Sequence, residues 1–321
     1  LRGMLVHPNT FDHLAEWGAR FQQIFTRPVN DLLGTSCARF VSPFLSERHF
    51  VPLAKTPFHT KMPSLNTDAG TSGIKVAFFV GCLIDKILPQ IAEATLQVLK
   101  HHGVGIYLPP AQGCCGIPAA SSGDTATFKR LVQYNLEIFE DRKFDYLVTA
   151  CATCTSTIKE VWPVLIRKEP GDVVAGVNRI SEKTLDIHQF LVAKVGLKRI
   201  SQTNTENPLR VTYHDPCHLK KALGVAAEPR AVLAANPGYH LKEMHQADAC
   251  CGMGGSFNLQ YYEITSEIGK LKRDNIKASG CEVVATGCPA CMLQISDVLS
   301  RAKDRLAVKH PIEIYAEGLK C

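Results

Sequence analysis

With 321 residues, 45% of them hydrophobic and 21% charged, the chain has the bulk composition of a globular protein large enough for two cores. Its net charge of +6 comes without a dense run of Lys and Arg, which argues against a nucleic-acid binder, and no stretch approaches the roughly 18–20 apolar residues of a membrane span, leaving only peripheral membrane association. Thirteen cysteines without an apolar leader point to a reducing compartment, the cytoplasm, and away from a disulfide-stapled secreted domain.

In chain order, residues 1–73 read as an N-terminal helical segment and linker, 74–206 as a first repeat and 207–321 as a second. From Thr10 to Phe25, Phe11, Leu14, Phe21, Ile24 and Phe25 recur at helical spacing behind Thr10 as N-cap, a stripe more often core-facing than membrane-binding. Pro52, Pro57 and Pro63, followed by Ser64 to Gly73, read as an extended and then flexible linker.

Strands and helices then alternate. In the first repeat Val76–Val80 is a strand-type run before Cys82. Residues 89–102 are helical, with Pro89 in the first turn and Gly103 as the C-terminal stop. Val104–Leu108 is a second strand, Asp124–Glu140 a helix, and Tyr146–Thr149 a strand before Cys151. The second repeat follows suit, with strands at Arg210–Tyr213, His240–Met244 and Glu282–Ala285. Such alternation predicts an α/β fold of two tandem homologous repeats with mainly parallel sheets.

Ten cysteines carry the repeat. Cys82, Cys114-Cys115-Gly116 and Cys151-x-x-Cys154 are matched by Cys217, Cys250-Cys251-Gly252 and Cys288-x-x-Cys291, 135 to 137 residues later. Scattered structural cysteines would not repeat at one spacing. Structural zinc takes four ligands, usually from two tight pairs, and each copy has one such pair and a fifth thiol. Soft thiolates in this number favour iron–sulfur chemistry, with zinc and redox thiols as the remaining readings. Each cysteine group follows the C-terminal end of a predicted strand, where ligands bind in open α/β sheets.

Among the other residues, His214 and His218 flank Cys217, placed to donate protons, to hydrogen-bond a cluster or to serve packing. Gly252 to Gly255 do not fit a dinucleotide fingerprint and read as room for backbone beside a cluster. Cys37 stands alone, and Cys281 and Cys321 fall outside the pattern.

The doubled pattern resembles the cysteine-rich CCG-domain family, which includes one subunit of heterodisulfide reductase and the iron–sulfur subunits of glycolate oxidase and bacterial lactate-utilisation complexes. The resemblance covers about residues 74–318 and extends to Gly81-Cys82-Leu83, Gly113-Cys114-Cys115-Gly116, Tyr213-His214-Asp215-Pro216-Cys217-His218 and Cys250-Cys251-Gly252-Met253-Gly254-Gly255-Ser256-Phe257. It implies iron–sulfur clusters, [4Fe–4S] and one per repeat, held by the ten cysteines as cubanes or, with all five thiols engaged, as non-cubane clusters. It further implies an electron-transfer subunit of a flavin-dependent lactate or glycolate dehydrogenase, partnered by a flavoprotein. The two ferredoxin-like clusters usual in glycolate oxidase subunits are absent here, which places such a module upstream of Leu1 or in another subunit. The alternative is a heterodisulfide reductase-like subunit acting on a disulfide.

Overall fold

The computed structural model describes residues 8–40, 47–139, 142–201 and 207–319, so Cys321 and the end of the helix expected to reach Glu140 lie outside the described residues. The chain divides into two compact units, one taking the residues up to Leu14 and Thr56–Leu197, the other Ala15–Lys55 and the residues from Lys198 on.

The first helix is Pro8–Phe25, so Thr10 lies inside its first turn instead of capping it. The expectation that its apolar stripe faces the core is corrected. Leu14, Phe21, Ile24 and Phe25 are exposed, with Trp17 at 64%, while Ala15 and Ala19 are buried. The reason is local: the small face packs on Leu53, whose side chain comes within 3.2 Å of where a Cβ on Gly18 would lie, and Gln22 exchanges two hydrogen bonds of 2.9 Å with the Leu53 backbone. The antiparallel hairpin β1 (Thr26–Asn30) and β2 (Thr35–Ala38) follows, tied into the second unit by Thr35 and Ser300, whose hydroxyls lie 2.6 Å apart.

The first unit carries β3 (Leu65–Asn66), β4 (Lys75–Phe79), β5 (Gly105–Leu108), β6 (Tyr146–Thr149) and β7 (Thr184–Asp186), in the order β3-β5-β4-β6-β7. All pairs are parallel except β3 on β5. Val76 to Phe79 are fully buried, as a central parallel strand covered on both faces requires. Helix Pro89–His101 starts with Pro89 and stops before Gly103 at φ +66°, as its sequence predicts.

Residues 64–73 are not the free linker their composition suggests. Leu65 pairs with Leu108, Thr67 exchanges two 2.9 Å hydrogen bonds with the Ile106 backbone, and Gly70 and Ser72 donate to the Gly103 carbonyl. Proline, serine and glycine equally suit an edge strand and the turn that leaves it, because an edge needs few ladder donors.

The second unit carries β8 (Leu209–Tyr213), β9 (Tyr239–Leu241), β10 (Val283–Ala285) and β11 (Ala307–Lys309), all parallel, in the order β11-β10-β8-β9. Counted from the strand before the lone cysteine, each unit thus has its strands ordered second, first, third, fourth. The duplicated cysteine pattern is a duplication of topology. Val211, Tyr213, Leu233, Val283, Ala285 and Ile314 form a buried cluster under this sheet. Among the described residues no helix is long and apolar enough to cross a membrane.

The packing of residues 64–73 is testable at Gly105, where an added Cβ would lie 2.6 Å from the Ala69 nitrogen and 2.7 Å from the Asp68 carbonyl carbon. Gly105→Ala is expected to destabilise the first unit by about 1–3 kcal/mol through overpacking, read by urea unfolding. Unchanged stability would mean that this segment does not sit on the sheet edge.

Candidate metal centres

In the first unit three strand ends deliver five thiols. Cys82 is the first residue of helix Cys82–Lys86, after Gly81 at φ +77°. A Cβ on Gly81 would sit 3.0 Å from Cys154 Sγ, so glycine is what lets these two loops meet. Cys114 and Cys115 precede Gly116, whose φ of +94° opens helix Ile117–Ser121 and whose missing Cβ leaves room for the Phe128 ring. Cys151 is the N-cap of helix Ala152–Ser156, with Cys154 in its first turn.

The sulfurs then touch in sequence. Cys82 Sγ lies 3.7 Å from Cys114 Sγ, and Cys114 and Cys154 hydrogen-bond Cys115, while Cys151 bonds Cys154. Hydrogen bonds from Cys114 and Cys154 hold the buried Cys115 well below the ordinary thiol range. The same sharing drives Cys114 and Cys154 up, reinforced by burial. One thiolate among proton-bearing neighbours is a ready site for a cation, whose binding would displace those protons.

Several supports carry no sequence signal. Asn135 donates to the Cys114 carbonyl at 3.0 Å and accepts from Gly113 N at 3.1 Å. Gln112 accepts from Val80 N at 2.8 Å and donates to the Phe78 carbonyl at 2.9 Å, bracing the end of β4. After Cys154 the helix passes through a π-helical turn, Thr157–Val161, and Trp162 Nε1 then donates to the Cys115 carbonyl at 2.8 Å. A buried indole requires an acceptor, but only the fold says which one.

In the second unit Cys217 opens helix Cys217–Leu223, Cys288 caps helix Pro289–Arg301, and Cys291 lies in its first turn. Cys251 Sγ is 3.3 Å from Cys291 Sγ, Cys251 and Cys250 share a hydrogen bond, and Cys291 bonds Cys288. Cys217 and Cys250 are exposed. Cys217 lies at the open edge, its sulfur 3.8 Å from His218 Nδ1. His214 joins the interior: a ring nitrogen and the sulfurs of Cys251 and Cys291 all lie within 4.8 Å of one another. Hydrogen bonding, from Cys250 first and then Cys291, holds Cys251 well below the ordinary thiol range.

Gly252, at φ +92°, would place a Cβ 2.4 Å from the Thr265 carbonyl oxygen, so it brings the turn against helix Tyr262–Ala278. Cys281 faces the carbonyls of Lys242 and Ser279, and Cys37 accepts from Arg27 at 3.3 Å.

All ten thiols are free of disulfides. Their donor chemistry fits a thiolate-ligated group: soft sulfurs drawn together from distant loops, beside helix N-termini whose N–H groups favour an anionic cluster. Cys82, Cys114, Cys115, Cys151 and Cys154 would hold one such group, and Cys217, Cys250, Cys251, Cys288 and Cys291 the other.

Comparison with known proteins places this geometry in context. The Cysteine-rich domain family, CCG, matches the chain twice, over residues 76–159 and 211–296. The B-type subunit of fumarate reductase (CoM/CoB) from Methanothermobacter marburgensis is 34% identical over 229 residues, 71% of this chain and 43% of that protein. Lactate utilization protein A of an Exiguobacterium species is 29% identical over 245 residues, 76% of this chain and 98% of that protein. The probable glycolate oxidase iron–sulfur subunit of Bacillus subtilis is 32% identical over 253 residues, 76% of this chain and 54% of that protein. The chain therefore spans about half the length, or less, of the first and third of these and nearly all of the second.

The helix that presents Cys82 is anchored by Asp85, which accepts from the His59 backbone N–H at 2.9 Å and pairs with the His59 ring at 3.2 Å and with Lys86. Burial pushes this carboxyl up, but His59 and Lys86 outweigh it and hold it at about 2. A depressed carboxylate contributes its stability above the unfolded value near 4 and loses it as pH falls towards 2; the difference corresponds to about 2 kcal/mol. Metal-free protein should therefore lose about that much between pH 5 and pH 2 from this group, and Asp85→Asn should remove that part of the slope. Equal slopes for the two proteins in urea unfolding would show that Asp85 is not the anchor.

Proposed function

The chain belongs to the CCG cysteine-rich domain family, and we propose that it is the iron–sulfur electron-transfer subunit of a flavin-dependent 2-hydroxyacid dehydrogenase complex. The reading is carried by one observation above all: two complete sets of five thiols, each drawn to the same end of a parallel sheet. The match to nearly the whole length of a lactate utilization protein A, and the match to a glycolate oxidase iron–sulfur subunit, support lactate or glycolate as the substrate class.

Bound at these sites, [4Fe–4S] clusters, cubane or non-cubane, supply one-electron redox chemistry. The chain's own contribution is to hold and insulate. Trp162, Asn135 and Gln112 fix the first set of cysteine loops through backbone contacts, so that the thiols keep their places as charge changes. The buried Cys115, Cys151 and Cys154 keep water from the first centre. The more open second centre, with Cys217 and Cys250 exposed, suits exchange with an outside partner. That partner is a flavoprotein subunit, with further transfer towards a quinone or another carrier; a ferredoxin-like module belongs to the same assembly. The proposed location is the cytoplasm or the cytoplasmic membrane surface.

A second reading is a heterodisulfide reductase-like subunit acting on a disulfide at its clusters. The similarity to the fumarate reductase (CoM/CoB) subunit and the retention of all five cysteines in both sets favour it.

Anaerobically purified protein should contain iron and acid-labile sulfide and give cluster EPR signals on reduction. Cys115→Ser and Cys251→Ser should each lose roughly half of the iron and lower the thermal stability of the holoprotein, because ligation is coupled to folding. Alone, the chain should show no lactate or glycolate oxidation, yet take electrons from its flavoprotein partner. Hydroxyacid oxidation by the isolated chain would overturn the relay, and cluster-dependent reduction of a disulfide would select the second reading.

A further inference from the structure

The two centres match in topology but differ in what surrounds the sulfurs. Three residues before Cys82 stands Phe79; three residues before Cys217 stands His214. Both are buried. Phe79 packs its ring against Phe139, with centroids 6.0 Å apart. His214 instead brings an imidazole among thiols. Its Nδ1 lies 3.2 Å from the Ala247 carbonyl, which can only accept, so Nδ1 carries the proton. Nε2 is buried and meets no hydrogen-bond partner among the described oxygens and nitrogens. With Nδ1 engaged, Nε2 is the nitrogen left for the sulfurs of Cys251 and Cys291, the three donor atoms lying within 4.8 Å of one another.

A second substitution supports the arrangement. Twenty-two residues after Cys114 comes the buried Leu136, and twenty-two after Cys250 comes the buried Lys272. Lys272 Nζ donates to the Gln246 carbonyl at 2.7 Å and to the Ala247 carbonyl at 3.2 Å. It thus holds in place the carbonyl that sets the tautomer of His214. Two apolar residues at these places in the first repeat are matched by an imidazole and a cationic residue in the second, both bonded to the Ala247 carbonyl.

We infer that His214, through Nε2, is a further donor of the second centre, a nitrogen contact with no counterpart at the first centre among the described residues. The inference rests on the iron–sulfur reading above. Imidazole brings less negative charge to iron than thiolate does, and a nitrogen donor taken in place of a thiolate sulfur raises a cluster's potential. The second centre is therefore the more easily reduced of the two, and the pair is electronically unequal although its cysteine sets are identical. Lys272 is a positioning residue for this contact.

Pulsed EPR of reduced holoprotein labelled with 15N-histidine tests the contact, and a redox titration tests its consequence. Labelled protein should show a 15N coupling that His214→Phe, the residue type at the matched place in the first repeat, abolishes. The more positive of the two midpoint potentials should fall in that variant, and the other should stay. His214→Asn, which can still donate to the Ala247 carbonyl, should give the same loss of coupling if the phenylalanine variant fails to load. Persistence of the coupling in a loaded variant, its absence from loaded wild-type protein, or an equal shift of both potentials would overturn the inference. Iron and sulfide analysis of the same samples separates the two readings. Protein that holds no cluster overturns the relay assignment and this inference together, whereas loaded protein without histidine coupling overturns the role of His214 alone.

Discussion

Thiols that are 72 residues apart in the first unit and 74 in the second can meet only if the strands that deliver them run parallel and end at one level. A parallel sheet with helical crossovers provides this, because each strand returns to the same edge before handing the chain to a loop. The shared strand order places the first strand centrally in both units, with the strands before Cys-Cys-Gly and Cys-x-x-Cys on either side. The lone cysteine is thereby flanked by the other two groups. Everything else around the site follows from keeping that convergence tight.

Tightness has a local chemistry. Gly116 and Gly252 adopt φ of +94° and +92°, a conformation costly to other residues, and each lacks a Cβ where a neighbouring helix presses in. The Cys-Cys-Gly turn is thus defined as much by its glycine as by its thiols. Crowded sulfurs then share protons, so that Cys115 and Cys251 lie well below the ordinary thiol range. Shared topology does not mean identical surroundings: Trp162 and Asn135 brace the first centre, whereas the second leaves Cys217 and Cys250 at the surface and turns His214 inward.

The N-terminal region shows where patterning misleads. Leu14, Phe21, Ile24 and Phe25 recur at helical spacing, which establishes a helix but not which face is buried. Ala15, Gly18 and Ala19 offer close approach, and Gln22 pairs with the Leu53 backbone, so the small face won the contact and the large residues stayed exposed. Residues 64–73 mislead in the opposite sense. Their composition reads as flexible, yet the carbonyl of Gly103 and the backbone of Ile106 were available to hold them, and composition carries no record of such partners.

The duplication, the alternation of strand and helix, and the candidate thiols are legible in the linear chain, because spacing and periodicity are local properties that survive without knowledge of partners. The linear chain also marked His214 as a neighbour of Cys217, without assigning it a role. Tertiary structure decided the fourth strands β7 and β11, the brackets made by Asn135, Gln112 and Trp162, and the turning of His214 towards Cys251 and not outward beside Cys217. Each of these depends on a partner from another strand or helix, Ala247 for the His214 ring and Cys115 for the Trp162 indole. A linear pattern cannot specify a hydrogen bond whose two ends are brought together only by the sheet.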